Sequence, residues 1–488
     1  MGISSSCVLD FLKTLDSYHF CTHQLLMARG DRIFAEVNYA PFHRDFKHRM
    51  YSVSKSFITA ALGFAIQDGL MSLDDRLVDL YPDYCAENPL INGHMRETTV
   101  RDLLTMRSPQ NATPTWICGG VSDRPAVYFD RAADRIPGTV FRYDSQGSSM
   151  ISTAIERKTG MPFLEYLKKK CLLSMGFSPD AYCIQAPGGH SFADSGVMCT
   201  PRDLLLFARL MMNEGSYDGV QYLDRAYCRE ATKKQLDNNE SGLNLYNSYG
   251  YGYLIWKAPR DGFAFVGMGD QYAICDPKTD FVMILTSDNQ GNPAATRSIL
   301  YHALYSTVVE KLGEPLPENK EAYEELLSYS KNAKLFALGE QTGNRTDNAF
   351  ADEINGKIYT FEENPMKLSR LTFSFEGKRG CIRYTNAQGE NELFFGLGYN
   401  EFGKFPESDR SDLVAGESVK GHRYDCAASA DWPEERKLRI KIQVIDKYFG
   451  NCTMLFSFKD DQLAVSMSKT AEGFMKDYAG YACGWLIS

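Results

Sequence analysis

Val8, Leu9, Phe11, Leu12 and Leu15 recur at helical spacing and predict a first helix over residues 4–18, with serines placed to cap it. Two short alternating runs follow, 24–28 and 32–37, and the Gly30-Asp31 pair between them predicts a hairpin. Residues 52–67 read as a helix with Phe57, Ile58, Ala61, Leu62 and Ala65 on its buried side, stopped by Gly69. Helical stretches then alternate with loops to about residue 214, the amphipathic segment 201–213 among them. Strand patterns return at 249–256, 264–266, 271–275 and 281–286, with Asp276-Pro277-Lys278 as a turn, before a closing helix over 294–312. Strands at both ends with helices between them predict an α+β fold: an antiparallel sheet flanked by helices, not an alternating α/β arrangement.

The pattern changes near Pro315 and Pro317. A charged helix over 318–338 and a polar linker over 339–348 lead into short strands at 357–361, 371–375, 381–384, 392–396, 424–428, 438–445, 452–458 and 462–467. Regular short strands between turn residues predict a closed or nearly closed antiparallel β-barrel. The chain has 488 residues, about three times a typical domain of ~150. The expected division is 1–315, 316–350 and 351–488.

Composition narrows the function more than the fold. Lysine and arginine number 53 against 62 acidic residues, a net charge of −9, so the chain lacks the basic surface of a general nucleic-acid binder. Its 13 cysteines are scattered and form no C-x-x-C pair, which predicts reduced, core-filling thiols rather than zinc ligands or a disulfide framework. No basic-then-apolar leader opens the sequence, and no window reaches the ~20 apolar residues of a membrane span. The expectation is a cytoplasmic protein with no metal, cofactor, nucleic-acid or membrane partner, and a homo-oligomer is compatible with it.

The chemistry concentrates at Ser52-Val53-Ser54-Lys55. Ser52 and Lys55, at i and i+3, share one face of a helix that starts there. A serine hydroxyl is a weak nucleophile until a base takes its proton, and a neutral amine within reach can do so. The helix N-terminus also favours developing negative charge. Alone, S-x-x-K is equally a capping serine beside a surface lysine, but its context argues otherwise. Downstream come Leu73-Asp74-Asp75, Leu80-Tyr81-Pro82, Thr98-Thr99-Val100-Arg101-Asp102-Leu103-Leu104 and Pro137-Gly138, then Tyr143-Asp144-Ser145. Ser195-Gly196-Val197-Met198, Pro201-Arg202-Asp203-Leu204 and Tyr249-Gly250-Tyr251-Gly252 follow. In this order, residues 20–312 resemble the serine beta-lactamase-like superfamily, in its branch of class C beta-lactamases, esterases, D-aminopeptidases and 6-aminohexanoate-oligomer hydrolases.

The resemblance implies a serine hydrolase that cleaves an ester or amide of a small molecule or short peptide through an acyl-enzyme. It makes Ser52 the acylated nucleophile and Lys55 its proton acceptor. Tyr143 and Ser145 match the second motif, with Tyr143 as the acid–base partner. Phe265-Val266-Gly267 stands at the third motif, and Met268-Gly269-Asp270-Gln271 after it is similar to the G-x-x-G-Q form. That match implies an oxyanion hole from the backbone N–H groups of Ser52 and Met268, with Gly267 and Gln271 on the supporting strand. The C-terminal strands resemble the lipocalin-like domains appended to some members.

The departures matter as much. No lysine or histidine occupies the third motif, where the family reads the carboxylate of a penicillin or D-Ala-D-Ala peptide, so weak or absent beta-lactamase activity is expected. Asp270 replaces a glycine and is a candidate contact to a substrate amine. Trp116, on a loop that borders the cleft in the family, is a candidate substrate contact or a packing residue. The run His43–Arg49 reads as a solvated loop, His19 and His23 as a helix-end pair. Two alternatives stay open: an acyltransferase using the same acyl-enzyme, and a catalytically inactive ligand-binding or assembly module.

Overall fold

The computed structural model describes the chain except residues 111–122, 187, 239–247, 293, 409–422, 447–448, 472–474 and 488. Helix α1 (Ser5–Ser17) is capped by Ser4 and buries the five apolar residues that announce it. Strands β1 (Thr22–Arg29) and β2 (Arg32–Asn38) form the expected hairpin. The middle of the chain is helical. Its main elements are α2 (Ser54–Gln67), α3 (Ser145–Thr159) and α4 (Pro201–Met212), the last opened by a Thr200–Asp203 capping box. Strands β3 (Trp256–Lys257), β4 (Phe263–Gly267), β5 (Gln271–Asp276) and β6 (Phe281–Ser287) then precede α5 (Thr296–Ala303).

Six strands make one antiparallel sheet in the order β2-β1-β6-β5-β4-β3, so the hairpin meets the later strands at its centre, with Leu25 opposite Leu285. Every residue of β4, β5 and β6 is buried, which requires cover on both faces. Helix α4 lies against β1, β5 and β6, while α1 packs with α5 and with α6 (Lys320–Asn332). The α+β class is the observed one. The strand expected at 249–256 is reduced to β3, because Gly250 and Leu254 have positive φ and break the extended run. Helix α6 is shorter than expected, because Ala40 donates its N–H to the Ala333 carbonyl and accepts the Leu335 N–H, which pulls that segment straight.

The C-terminal part contains β7 (Ile358–Phe361), β8 (Arg370–Glu376), β9 (Arg379–Asn386), β10 (Gly389–Leu397), β11 (Glu401–Ser408), β12 (Arg423–Glu434), β13 (Lys437–Ile445), β14 (Phe449–Lys459), β15 (Gln462–Ala471) and β16 (Gly480–Leu486). Antiparallel neighbours run β10-β9-β8-β7-β16-β15-β14-β13-β12, and a parallel β10–β12 contact at Gly396 and Ser429 closes the ring. Strand β11 pairs outside that closure with β12. Inward residues such as Phe373, Ile382, Phe395, Ile440, Met454 and Phe456 fill the barrel.

The barrel is joined to the sheet domain by packed side chains. Ile184, Ala186, Phe192 and Met198 are continuous with the barrel core, and Phe449 packs with Phe42, Tyr51 and Met268. His48 and Arg49 are buried here, so the loop expected to be solvated is so only at His43–Asp45. His19 and His23 are likewise no helix-end pair. His23 sits on β1, its Nδ1 2.8 Å from His48 Nε2, while His48 Nδ1 lies 2.9 Å from the Arg49 carbonyl. A carbonyl needs a donor, so His48 carries its proton on Nδ1 and its bare Nε2 accepts from His23: a neutral pair. The His48 ring also stacks on Phe449 at 4.1 Å.

Burial lowers both imidazoles, His48 to about 3, with the neighbouring ring adding to the shift at His23. A group whose pKa is lower when folded gives stability that is complete above the unfolded value near 6.5 and lost as pH falls below it. Thermal melting between pH 7.5 and pH 4.5 is therefore expected to fall with acidification. His48→Phe is expected to melt lower at pH 7.5, because it orphans a His23 N–H, but to show a shallower pH slope. An unchanged slope would contradict the neutral pair.

Candidate active site

Ser52 lies in a tight 3₁₀ turn, Tyr51–Val53, that runs directly into α2. Its neighbours Tyr51, Val53, Ser54 and Lys55 are all buried, and Ser52 alone in the turn is partly exposed. Tyr51 holds a positive φ of 48°, a strained conformation for a side chain of that size. Two groups pin it: the Arg49 guanidinium lies 4.3 Å from its ring centre, and its hydroxyl accepts the Phe449 N–H.

Lys55, in the first turn of α2, is 1% exposed. Its Nζ donates to Ser52 Oγ at 2.9 Å and to the Asp194 carbonyl at 2.7 Å, and it sits 5.1 Å from the centre of the Tyr143 ring. Tyr143 is half-buried and stacked on Trp256 at 5.6 Å, with Phe141 and Tyr251 continuing the aromatic wall. Ser145 begins α3 and is partly exposed; its carbonyl accepts from Ser148 Oγ. Two of the expected residues, Ser52 and Tyr143, thus lie beside the amine of the third, Lys55.

Two carboxylates that the sequence reading passed over lie beneath them. Asp144 caps α3 through Gln146 N, and burial raises its carboxyl despite hydrogen bonds and the Lys55 charge. The segment after Leu104 supports it, since Asp144 N donates to Met106 Sδ. Asp194 accepts from Arg124 Nη1 and from Ser149 Oγ, each at 2.7 Å. Burial alone would raise the Asp194 carboxyl, but Arg124, Lys55 and these hydrogen bonds together hold it below the usual carboxylate range. Both aspartates stand beside motif residues, at Tyr143 and at Ser195-Gly196, and adjacency was the one available signal. Nothing in the sequence pointed to Arg124.

The third-motif strand approaches the Ser52 turn at Gly267. A Cβ there would stand 2.4 Å from the Met50 carbonyl oxygen, so only glycine lets β4 lie so close. Gln271 is fully buried and binds backbone: its Nε2 donates to the Met268 and Ser287 carbonyls, and its Oε1 accepts from Ser287 N. It fixes the turn after Gly267 to β6. Asp270, the expected substrate contact, is buried. Its carboxylate accepts from the Tyr272 hydroxyl and from Asn289 Nδ2, and Tyr272 in turn accepts from Arg297. Trp116 lies outside the described residues. Among the described residues no group of histidine, cysteine and carboxylate side chains is arranged to hold a metal. No described helix is long and apolar enough to cross a membrane.

A family model described as Beta-lactamase matches residues 24–306. The 6-aminohexanoate-dimer hydrolase of Paenarthrobacter ureafaciens is 23% identical over 290 residues, covering 55% of this chain and 72% of that protein. Among solved structures, an octameric penicillin-binding protein homologue from Pyrococcus abyssi matches with TM-score 0.50 at 14% identity, over 98% of this chain and 99% of its own. EstCE1, a hydrolase with promiscuous acyltransferase activity, matches with TM-score 0.50 at 15% identity, over 62% of this chain and 98% of its own. At such identities the structures show a shared fold, and the octameric homologue shares it through the barrel as well. With more than half of its residues matched by the family model, the chain belongs to the beta-lactamase family.

Proposed function

We propose that the protein is a serine hydrolase that cleaves an ester or amide of a small molecule or short peptide through an acyl-enzyme on Ser52. The observation that carries this reading is the 2.9 Å contact between Lys55 Nζ and Ser52 Oγ, made beside Tyr143. Ser52 Oγ attacks the substrate carbonyl carbon as the neutral Lys55 amine takes its proton. The oxyanion that forms is bound by the N–H groups of Ser52 and Met268. The proton passes by way of Lys55 and Tyr143 to the leaving alcohol or amine, and the carbonyl re-forms as that bond breaks. Water, activated by the same pair, then releases the acid and restores Ser52.

The relative that hydrolyses 6-aminohexanoate dimers and the absence of a lysine or histidine at Phe265-Val266 both favour linear amides or esters over beta-lactams. The aromatic wall of Phe141, Tyr143, Tyr251 and Trp256 suits a substrate with an apolar acyl or leaving group. An added alcohol or amine that intercepts the acyl group would make the protein an acyltransferase by the same first step. Self-association, as in the octameric relative, is part of the proposal.

Treatment with a p-nitrophenyl phosphonate is expected to give one adduct, on the peptide containing Ser52, and none in Ser52→Ala. Turnover of p-nitrophenyl esters or D-amino-acid amides should far exceed that of a chromogenic cephalosporin. Lys55→Ala is expected to lower acylation by roughly 10²–10⁴. Lys55→Arg should fare no better, since guanidinium stays protonated. Near-normal acylation by Lys55→Arg at pH 7 would exclude this lysine as the base.

Gly267→Ala is expected to lower kcat by about 10²–10³, the loss of an oxyanion donor, because the new Cβ drives β4 away from the Ser52 turn. Unchanged kcat would show that the approach of β4 is not needed for the reaction.

A further inference from the structure

Strand β14 of the C-terminal barrel reaches both arms of the proposed oxyanion hole. At the first arm, Tyr51 immediately precedes Ser52 and is held at φ 48°. Such a conformation persists only where its surroundings fix it. The Phe449 N–H supplies part of that restraint through the Tyr51 hydroxyl, at 3.3 Å. At the second arm, Met268 packs in one apolar cluster with Phe449, Ala427 and Ile445, all from the barrel.

Two residues farther along β14, on the same face, Asn451 Nδ2 donates to Asp288 Oδ2 at 2.6 Å. Asp288 is buried in the segment after β6, and its backbone N–H donates to the Cys21 carbonyl. The next residue, Asn289, donates its N–H to the Gly269 carbonyl at 3.2 Å, one residue beyond Met268. A short path therefore runs from β14 through Asp288 and Asn289 to the turn that presents the Met268 N–H. Asn451 is also a poor choice for stability alone. Its Oδ1 is buried without a hydrogen-bond partner, a cost that an apolar residue there would avoid.

We propose that Phe449 and Asn451 are positioning residues of the oxyanion hole, so that the barrel sets the reactivity of Ser52 as well as covering the sheet domain. The inference rests on the serine-hydrolase reading. Donors in such a hole act on the oxyanion more than on the ground-state carbonyl, so a small displacement of either arm lowers kcat more than it raises KM.

The test uses the full chain with three substitutions. Asn451→Ala removes the bond to Asp288, and Tyr51→Phe removes the acceptor of the Phe449 N–H while keeping the ring. Tyr384→Phe breaks a different barrel contact, the Tyr384–Tyr478 hydroxyl pair at 2.7 Å, which lies in the barrel core apart from the cluster at either arm. For each, kcat and KM on a p-nitrophenyl ester, the rate of phosphonate labelling at Ser52 and the melting temperature are measured. Asn451→Ala and Tyr51→Phe are expected to lower kcat and labelling rate at least about tenfold, with KM changed less than about threefold. Tyr384→Phe is expected to keep kcat within about twofold even where its melting temperature falls as far. A wild-type chain that is labelled at Ser52, with all three variants reacting at its rate, overturns this inference alone. Equal loss of kcat in Tyr384→Phe overturns it too, by showing a general effect of loosening the barrel. A wild-type chain with no labelling at Ser52 overturns the serine-hydrolase reading and this inference with it.

Discussion

An amine taken out of water must find oxygen partners, and Lys55 finds them in the Ser52 hydroxyl and the Asp194 carbonyl. Much of the surrounding architecture follows from that requirement. Helix α2 is buried along its first three turns and carries the amine inward, while the segment ending in Asp194-Ser195-Gly196 crosses above it to offer a carbonyl. Asp194 is in turn fixed by Arg124 and Ser149, and Ser149 lies on α3, the helix that Tyr143 and Asp144 introduce. The charge of Lys55 pulls on both buried carboxyls, Asp144 and Asp194. One amine thus ties together three segments far apart in sequence. Removing any one partner would leave a buried polar group unpaired, which costs more than the hydrogen bond itself contributed.

The sheet supplies the other half of the site through closeness rather than charge. Gly267 lets β4 lie against the Met50 carbonyl, and buried Gln271 clamps the following turn to β6 with three backbone hydrogen bonds. The barrel then closes over this junction: Phe449 stacks on His48 and touches the Tyr51 and Met268 cluster. Neutral imidazoles, apolar rings and one asparagine amide make up much of this contact. The geometry of this interface is set by packing.

Much of this was legible in the sequence where one physical signal dominated. Helix α2 stood out because apolar residues crowd a single run, Ser52 and Lys55 because their spacing matched a chemistry, and Tyr143 only through the family resemblance. Other elements were hidden for identifiable reasons. Tyr251, Tyr253 and Leu254 are as buried as strand residues, yet Gly250 and Leu254 turn the backbone away from extension, so a strand pattern produced only β3. Strand β16 went unseen because its alternation is inverted: Tyr481, Cys483 and Trp485 face out, while Ala482 and Gly484 face in. Gly484 is small because a Cβ there would meet the Phe361 ring at 2.7 Å. Strand β11 carries Gly403, Lys404 and Pro406, residues that argue against a strand until β12 pairs with it. The roles of Arg124, Asp194 and Asn451 depend on partners distant in sequence, and no local pattern encodes them.

The central claim is that a substrate carbonyl bonded to Ser52 points its oxygen between the N–H groups of Ser52 and Met268. A crystal structure of the chain after reaction with a p-nitrophenyl phosphonate tests it most directly. Phosphorus is expected to be bonded to Ser52 Oγ, with one phosphoryl oxygen about 3 Å from both nitrogens and Lys55 Nζ still beside Ser52 Oγ. A phosphoryl oxygen turned to solvent, or phosphorus bonded to any other residue, would contradict it.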